Sequence, residues 1–137
     1  MKDTRNKTQD TDTLQTPNSK QEHTTVFDLE DSITRFAIQV IKLCKKLDRN
    51  PINDRIVSQA VSSSGSVGAN YREANDALGK KDFAHKLKIS RKECKEAIHW
   101  LILIGEANEQ STGEIAELIN EGQEIRNILS AIIKKCW

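Results

Sequence analysis

No apolar run in the 137-residue chain approaches the ~18 residues of a membrane-spanning helix. A membrane is therefore not among the expected partners. The first residues lack the apolar h-region of a secretory signal. Cysteine is scarce, and Cys44, Cys94 and Cys136 form an odd, widely spaced set. They make neither a disulfide framework nor a zinc spacing, so Cys44 and Cys94 read as small core residues in a reducing cytoplasm. Strand-like alternation is missing throughout. Histidine is limited to three, His23, His85 and His99. Metal chemistry in a helical bundle calls for two Glu-x-x-His motifs and two further Glu. Glu96-Ala-Ile-His99 is the one copy present. No metal, no cofactor and no catalytic residue is expected.

What remains is polar at the start and helical after it. Residues 1–25 hold one large aliphatic side chain, Leu14, among Thr, Asn, Gln, Lys and Asp. Such a segment cannot bury enough apolar surface to offset its ordering entropy. It reads as a disordered polar tail, with a partner-binding arm as the alternative. Residues 26–137 then form one domain, large enough for a modest core. Net charge is +1, but the distribution is uneven. Arg35 to Lys95 carries 14 Lys and Arg against 6 Asp and Glu; Glu96 to Ile125 carries 7 Glu and no Lys or Arg. That polarity suits an acidic partner, head-to-tail pairing of identical subunits, or plain solvation.

Four helices follow from apolar spacing in alternating steps of 3 and 4. The first, about Asp28 to Asp48, has the seam Val26, Leu29, Ile33, Phe36, Val40, Leu43, Leu47, with Ala37, Ile41 and Cys44 beside it and Asp28 as cap. Asn50 and Pro51 suit the cap and first position of the second, about Pro51 to Leu78. Its seam is Val57, Ala60, Ser64, Val67, Tyr71, Ala74 and Leu78. Its small middle, Ser62 to Ala69, would pass for a loop on propensity alone, yet the period runs through it. Two interior glycines cost up to about 1 kcal/mol each, which calls for close approach of another helix, or a kink near Gly65. The third, about Lys81 to Ala107, has the seam Phe83, Leu87, Ser90, Cys94, Ala97, Leu101, Ile104, with Ser90 bonding back to its own preceding turn. The fourth, about Gly113 to Lys135, has the seam Ile115, Leu118, Gly122, Ile125, Leu129, Ile132, a second seam of Ile119, Ile128 and Ile133, and Ser111 or Thr112 as cap. Trp137 should pack back on the bundle or on a neighbour. Short connections make this an all-α, antiparallel, up-down-up-down four-helix bundle.

The third helix carries the chemistry. With its seam inward, His85, Lys92 and His99 fall on the opposite face beside Lys81, Lys88 and Lys95. Lys80, Lys81, Lys86, Lys88, Arg91, Lys92 and Lys95 lie within sixteen positions. Such density can neutralise several phosphates and gives salt-dependent, sequence-indifferent affinity for nucleic acid. Lys81, Lys88, Arg91, Lys92 and Lys95 are the candidate contacts. Aromatics are nearly absent from the stripe, which argues against base stacking of the single-strand kind. A solvated basic face is the alternative. Further along, Ile98 to Ile104 is apolar nearly all round, so Ile98, Trp100, Ile102 and Leu103 are expected at a subunit interface. The alternative is a central helix covered by the first and fourth. Helical ribonucleases of the HEPN class carry Arg, four to six residues, then His; Arg91 and His99 are seven residues apart and do not match.

Ser66-Val-Gly-Ala-Asn-Tyr-Arg-Glu-Ala74, Lys80-Lys-Asp-Phe83, Lys86-Leu-Lys-Ile89, Lys92-Glu93, Glu96-Ala97 and Trp100-Leu101 together carry a resemblance. The pattern resembles the four-helix-bundle family of 23S rRNA intervening-sequence proteins, and is similar to the accessory protein of diversity-generating retroelements. It covers roughly Val57 to Ile104. One departure is Ser62, where the family often has Arg, which weakens any polar contact carried over there. Asn70 and Glu73 match the family's N-x-x-E, whose implied role is a hydrogen-bonded structural pair. The resemblance implies a cytoplasmic bacterial protein, a homo-oligomer commonly pentameric with a basic channel or surface, and no enzymatic activity. The retroelement relative binds nucleic acid and its reverse transcriptase. The function expected is thus a non-enzymatic RNA-binding homo-oligomer, with a protein-interaction scaffold as the alternative.

Overall fold

The structure is a computed structural model that describes residues 26–137, with side chains from Leu29 onward. The expected disordered tail, with Leu14 and His23, lies outside the described residues, as do the side chains of Val26 and Asp28. Four helices follow one another: α1 (Val26–Lys45), α2 (Pro51–Asn75), α3 (Lys80–Ala107) and α4 (Thr112–Lys134), the last entered through a 3-10 turn at Glu109–Ser111. Each packs on its sequence neighbours, most extensively α2 on α3, and α4 closes the ring against α1. With turns this short, neighbours run antiparallel, which gives the up-down-up-down bundle. Among the described residues, no helix is long and apolar enough to cross a membrane.

The seams face inward. Leu29, Ile33, Phe36, Val40, Leu43 and Leu47 of the α1 segment are all buried, as are Tyr71 of α2, Leu87 and Leu101 of α3, and Leu129 of α4. Burying such a side chain contributes about 1.5–3 kcal/mol relative to leaving it exposed. Burial holds the Cys44 and Cys94 thiols at about 11, well above the ordinary thiol range. Both therefore remain protonated and unreactive at neutral pH, as core residues should. Ile41 departs from expectation: it is 44% exposed, on the outer side of α1.

The small-residue stretch of α2 is helical without a break. Its two glycines differ. A Cβ at Gly68 would sit 3.3 Å from Ile33 Cγ2, so α1 does approach closely there, whereas one at Gly65 would meet nothing within 4 Å. Ser63 and Ser64 are buried and bond back to carbonyls of their own helix, Ser63 to Gln59 at 2.8 Å and Ser64 to Val61 at 3.2 Å. Ser90 does not bond to its own preceding turn. It donates instead across the helix contact to the Val67 carbonyl of α2 at 2.7 Å.

The ends bring three more corrections. Asn50 caps α2 as expected, accepting from the Asn53 amide at 2.8 Å. But α2 stops at Asn75, where the Asp76 amide turns back to Arg72 and Glu73, and Leu78 is left fully exposed rather than in the seam. Neither Ser111 nor Thr112 caps α4 through its side chain; Thr112 donates to the Glu109 carbonyl at 2.7 Å from inside the helix. In the last turn of α4 Ile133, from the second seam, is buried while Ile132 is half-buried and Ile128 is left 45% exposed; Cys136 follows Ile133 into the core.

One end of the bundle is fastened by a pair the spacing does not announce. Asn53 and Asn108 are buried and exchange amide hydrogen bonds at 3.0 and 2.9 Å. Asn53 also donates to the Asp48 carbonyl and Asn108 to the Ile104 carbonyl, each at 2.9 Å. Two interhelix turns are thereby joined through fully occupied side-chain amides.

Candidate nucleic-acid interface

The roll of α3 decides what its outer face presents. Leu87, Ser90, Cys94, Ala97, Leu101 and Ile104 are buried in the bundle. Two polar contacts fix that roll: Ser90 on the Val67 carbonyl, and the Cys94 thiol on the Gly122 carbonyl of α4 at 3.2 Å. Positions seven apart then align on the far side. Lys81, Lys88 and Lys95 form one row, His85, Lys92 and His99 the next, and all six are exposed.

Among the described residues, charge pairing leaves the lysines of this row without a carboxylate. Among the described residues the ion pairs are Arg35–Asp31, Lys46–Glu114, Arg49–Asp54, Arg72–Glu30 and Lys86–Glu73. None involves Lys80, Lys81, Lys88, Lys92 or Lys95. Lys86 is committed to Glu73 of α2 at 2.9 Å, and that hydrogen bond raises its pKa. Arg91 is half-buried and donates to Ser130 of α4 at 3.2 Å, so it braces α3 against α4 with one of its five donors. Among the described residues, five ammonium groups without a carboxylate partner thus line the solvent side of about four turns of α3. The stripe also has an aromatic neighbour that its own helix does not provide: Lys88 Nζ lies 5.3 Å from the centroid of the Trp137 ring. Trp137 sits beyond the end of another helix, and no local spacing ties it to Lys88. It is 72% exposed, so it touches the bundle without packing into it.

Other candidates fare differently. Ile98 is turned inward and buried, with Gly122 and Phe36 as its neighbourhood. It is a core residue of its own chain rather than part of an outer face, because a glycine opposite makes room for one more large side chain. Trp100 is half-buried, packed on the core, with His99 edge-on at 4.8 Å. Ile102 and Leu103 remain exposed at 53% and 37%. Ile102 lines a 370 Å³ groove with Gly105, Ile115, Ala116 and Ile119, rimmed by Glu106 and Glu109. Asn70 and Glu73 do not bond to each other. Asn70 donates to the Ser66 carbonyl at 2.9 Å, and Glu73 reaches Lys86 across the α2–α3 contact. No cluster of three potential metal ligands occurs among the described residues.

A crystal structure of a protein of unknown function from the S23 ribosomal protein family of Bacteroides thetaiotaomicron is similar in fold and sequence. The TM-score is 0.69 and identity 30%, over 77% of this chain and 98% of that one. No curated protein matches the sequence. The family model described as 23S rRNA-intervening sequence protein matches residues 28–131, which takes in all four helices. With the bundle, the helix order and that match in agreement, the chain belongs to the 23S rRNA-intervening sequence protein family.

Proposed function

We propose that the protein is a non-enzymatic RNA-binding bundle that acts as a homo-oligomer, pentameric by family resemblance, in the bacterial cytoplasm. The observation that carries the binding half is the row of exposed lysines on α3, none of them paired to a carboxylate among the described residues. An exposed ammonium row attracts phosphates by releasing their counterions, so affinity is high at low salt and indifferent to sequence. Ile102 and Leu103, large and exposed two helical turns beyond Lys95, support the self-association half. A protein-interaction scaffold, such as a partner of a reverse transcriptase, is the competing assignment.

The test is a charge reversal, Lys88→Glu with Lys92→Glu and Lys95→Glu, read by binding to a 23S rRNA fragment and by solution mass. Four phosphate contacts predict that wild-type affinity falls roughly 50- to 150-fold between 50 and 200 mM salt. The triple variant should lose binding and keep its assembly mass. If it binds rRNA as the wild type does, the stripe is only a solvated face. A wild-type assembly indifferent to rRNA would put the scaffold first.

A further inference from the structure

The end of α4 holds the indole beside the lysine row. Ile133 and Cys136 are buried, and the Cys136 amide bonds back to the Ile133 carbonyl at 3.0 Å. The backbone next to Trp137 is therefore anchored. The ring itself is open to solvent, with the Lys88 ammonium over it and Lys134 and Lys135, both exposed, just before it in sequence. A tryptophan that packs removes 150–250 Å² from water. Leaving most of that area open beside the Lys88 ammonium makes sense when something flat and anionic comes to it. Single-stranded nucleic acid has both properties: a phosphate for the ammonium groups and an aromatic face for the ring.

We propose that Trp137 is a stacking platform for one unpaired base of a bound RNA, while Lys88 and Lys92 take the flanking phosphates. This inference rests on the RNA-binding assignment above. Stacking uses the face that every base has, so the site selects unpaired over paired strands without reading sequence. An A-form duplex keeps its base faces inside the stack and offers only phosphates and 2′-hydroxyls.

The experiment uses the full chain, with single-stranded oligouridine and an RNA duplex of equal length as probes, by fluorescence anisotropy over a salt series. Trp137→Ala should weaken oligouridine binding about tenfold. The salt slope should not change, because no phosphate contact is lost. Duplex affinity should stay at the wild-type value, and Trp137→Phe should keep most of the single-strand affinity. Equal oligouridine binding by Trp137→Ala and wild type overturns the stacking platform and leaves RNA binding intact. Equal loss on both probes also overturns it. So does a changed mass of Trp137→Ala without RNA, which would assign the ring to a protein contact. A wild type that binds neither probe overturns this inference together with the assignment it rests on.

Discussion

Two glycines in two helices should respond to the same substitution with opposite sign. Gly122 of α4 and Gly65 of α2 are both interior helical positions, so alanine should help each by up to about 1 kcal/mol on propensity. At Gly65 nothing lies within 4 Å of the added methyl group, and that gain should appear in full. At Gly122 the methyl group would lie 2.9 Å from Ile98 Cγ1 and 3.3 Å from Phe36 Cζ. Both neighbours are buried, and Cγ1 belongs to a β-branched side chain with a stiff χ1, so neither can swing away. Overpacking of this kind costs about 1–3 kcal/mol. The net effect at Gly122 is a loss of about 1 kcal/mol. The difference between the two variants cancels the propensity gain and isolates the packing cost. Urea unfolding followed by circular dichroism, at one fixed protomer concentration, measures it. A double-mutant cycle sharpens the assignment. Ile98→Ala alone should cost about 2–5 kcal/mol, and in its background Gly122→Ala should turn stabilising. If both alanines stabilise equally in the wild-type background, or if the cycle shows no coupling, then Ile98 does not pack on Gly122 and its placement in the core is wrong.

Asn108→Ala should destabilise the bundle by about 1–3 kcal/mol in the same unfolding assay, since it strips the buried Asn53 amide of its partner. Glu121 supplies a pH dependence. Partial desolvation of this otherwise exposed carboxyl raises its pKa, Arg35 opposes the shift, and Glu124 and Glu117 add to it. The folded state then holds the proton more tightly than the unfolded one. Its contribution is favourable below the unfolded value, and is lost as pH rises from there through the raised folded value. Glu121→Gln should remove that slope and raise stability at neutral pH, as unfolding curves between pH 4 and 7 would show; an unchanged slope would clear Glu121.

Much of the bundle was legible because core helices repeat. The α1 seam from Leu29 to Leu47 buries as its spacing implies, and the period carried α2 correctly through a serine-glycine stretch that propensity would have broken. What escaped has a common physical form: it depends on which helices meet, and spacing within one helix is silent on that. Asn53 and Asn108 are ordinary terminal polar residues until two turns bring them together. Ser90 looks like a weak seam residue until the Val67 carbonyl faces it. Ile98 looked surplus to one subunit's core because the vacancy that receives it is made by Gly122, in a different helix. The lysine row was legible, being the complement of a well-marked seam. Its aromatic neighbour was not, since Trp137 reaches Lys88 only through the antiparallel return of α4.

The division of labour along α3 follows from the same geometry. Its first half is packed by Leu87, Ser90 and Cys94 and turns lysines outward. Its second half is packed by Ala97, Ile98, Leu101 and Ile104 and turns Ile102 and Leu103 outward, Ile102 beside Glu106 and Glu109. Placing a polyanion on the acidic half would incur like-charge repulsion, and placing an apolar contact on the lysine half would desolvate ammonium groups without partners. In the proposed function the two surfaces therefore cannot exchange roles. Because they share a rigid helix yet no residues, a change in one should leave the other intact, which is why binding and assembly are separable by mutation in the proposed function. The removal of Ile98 from the outer set strengthens that separation. The apolar surface left for a subunit contact on α3 is Ile102 and Leu103, at least seven positions from Lys95, and no lysine of the row has to be buried for subunits to meet there.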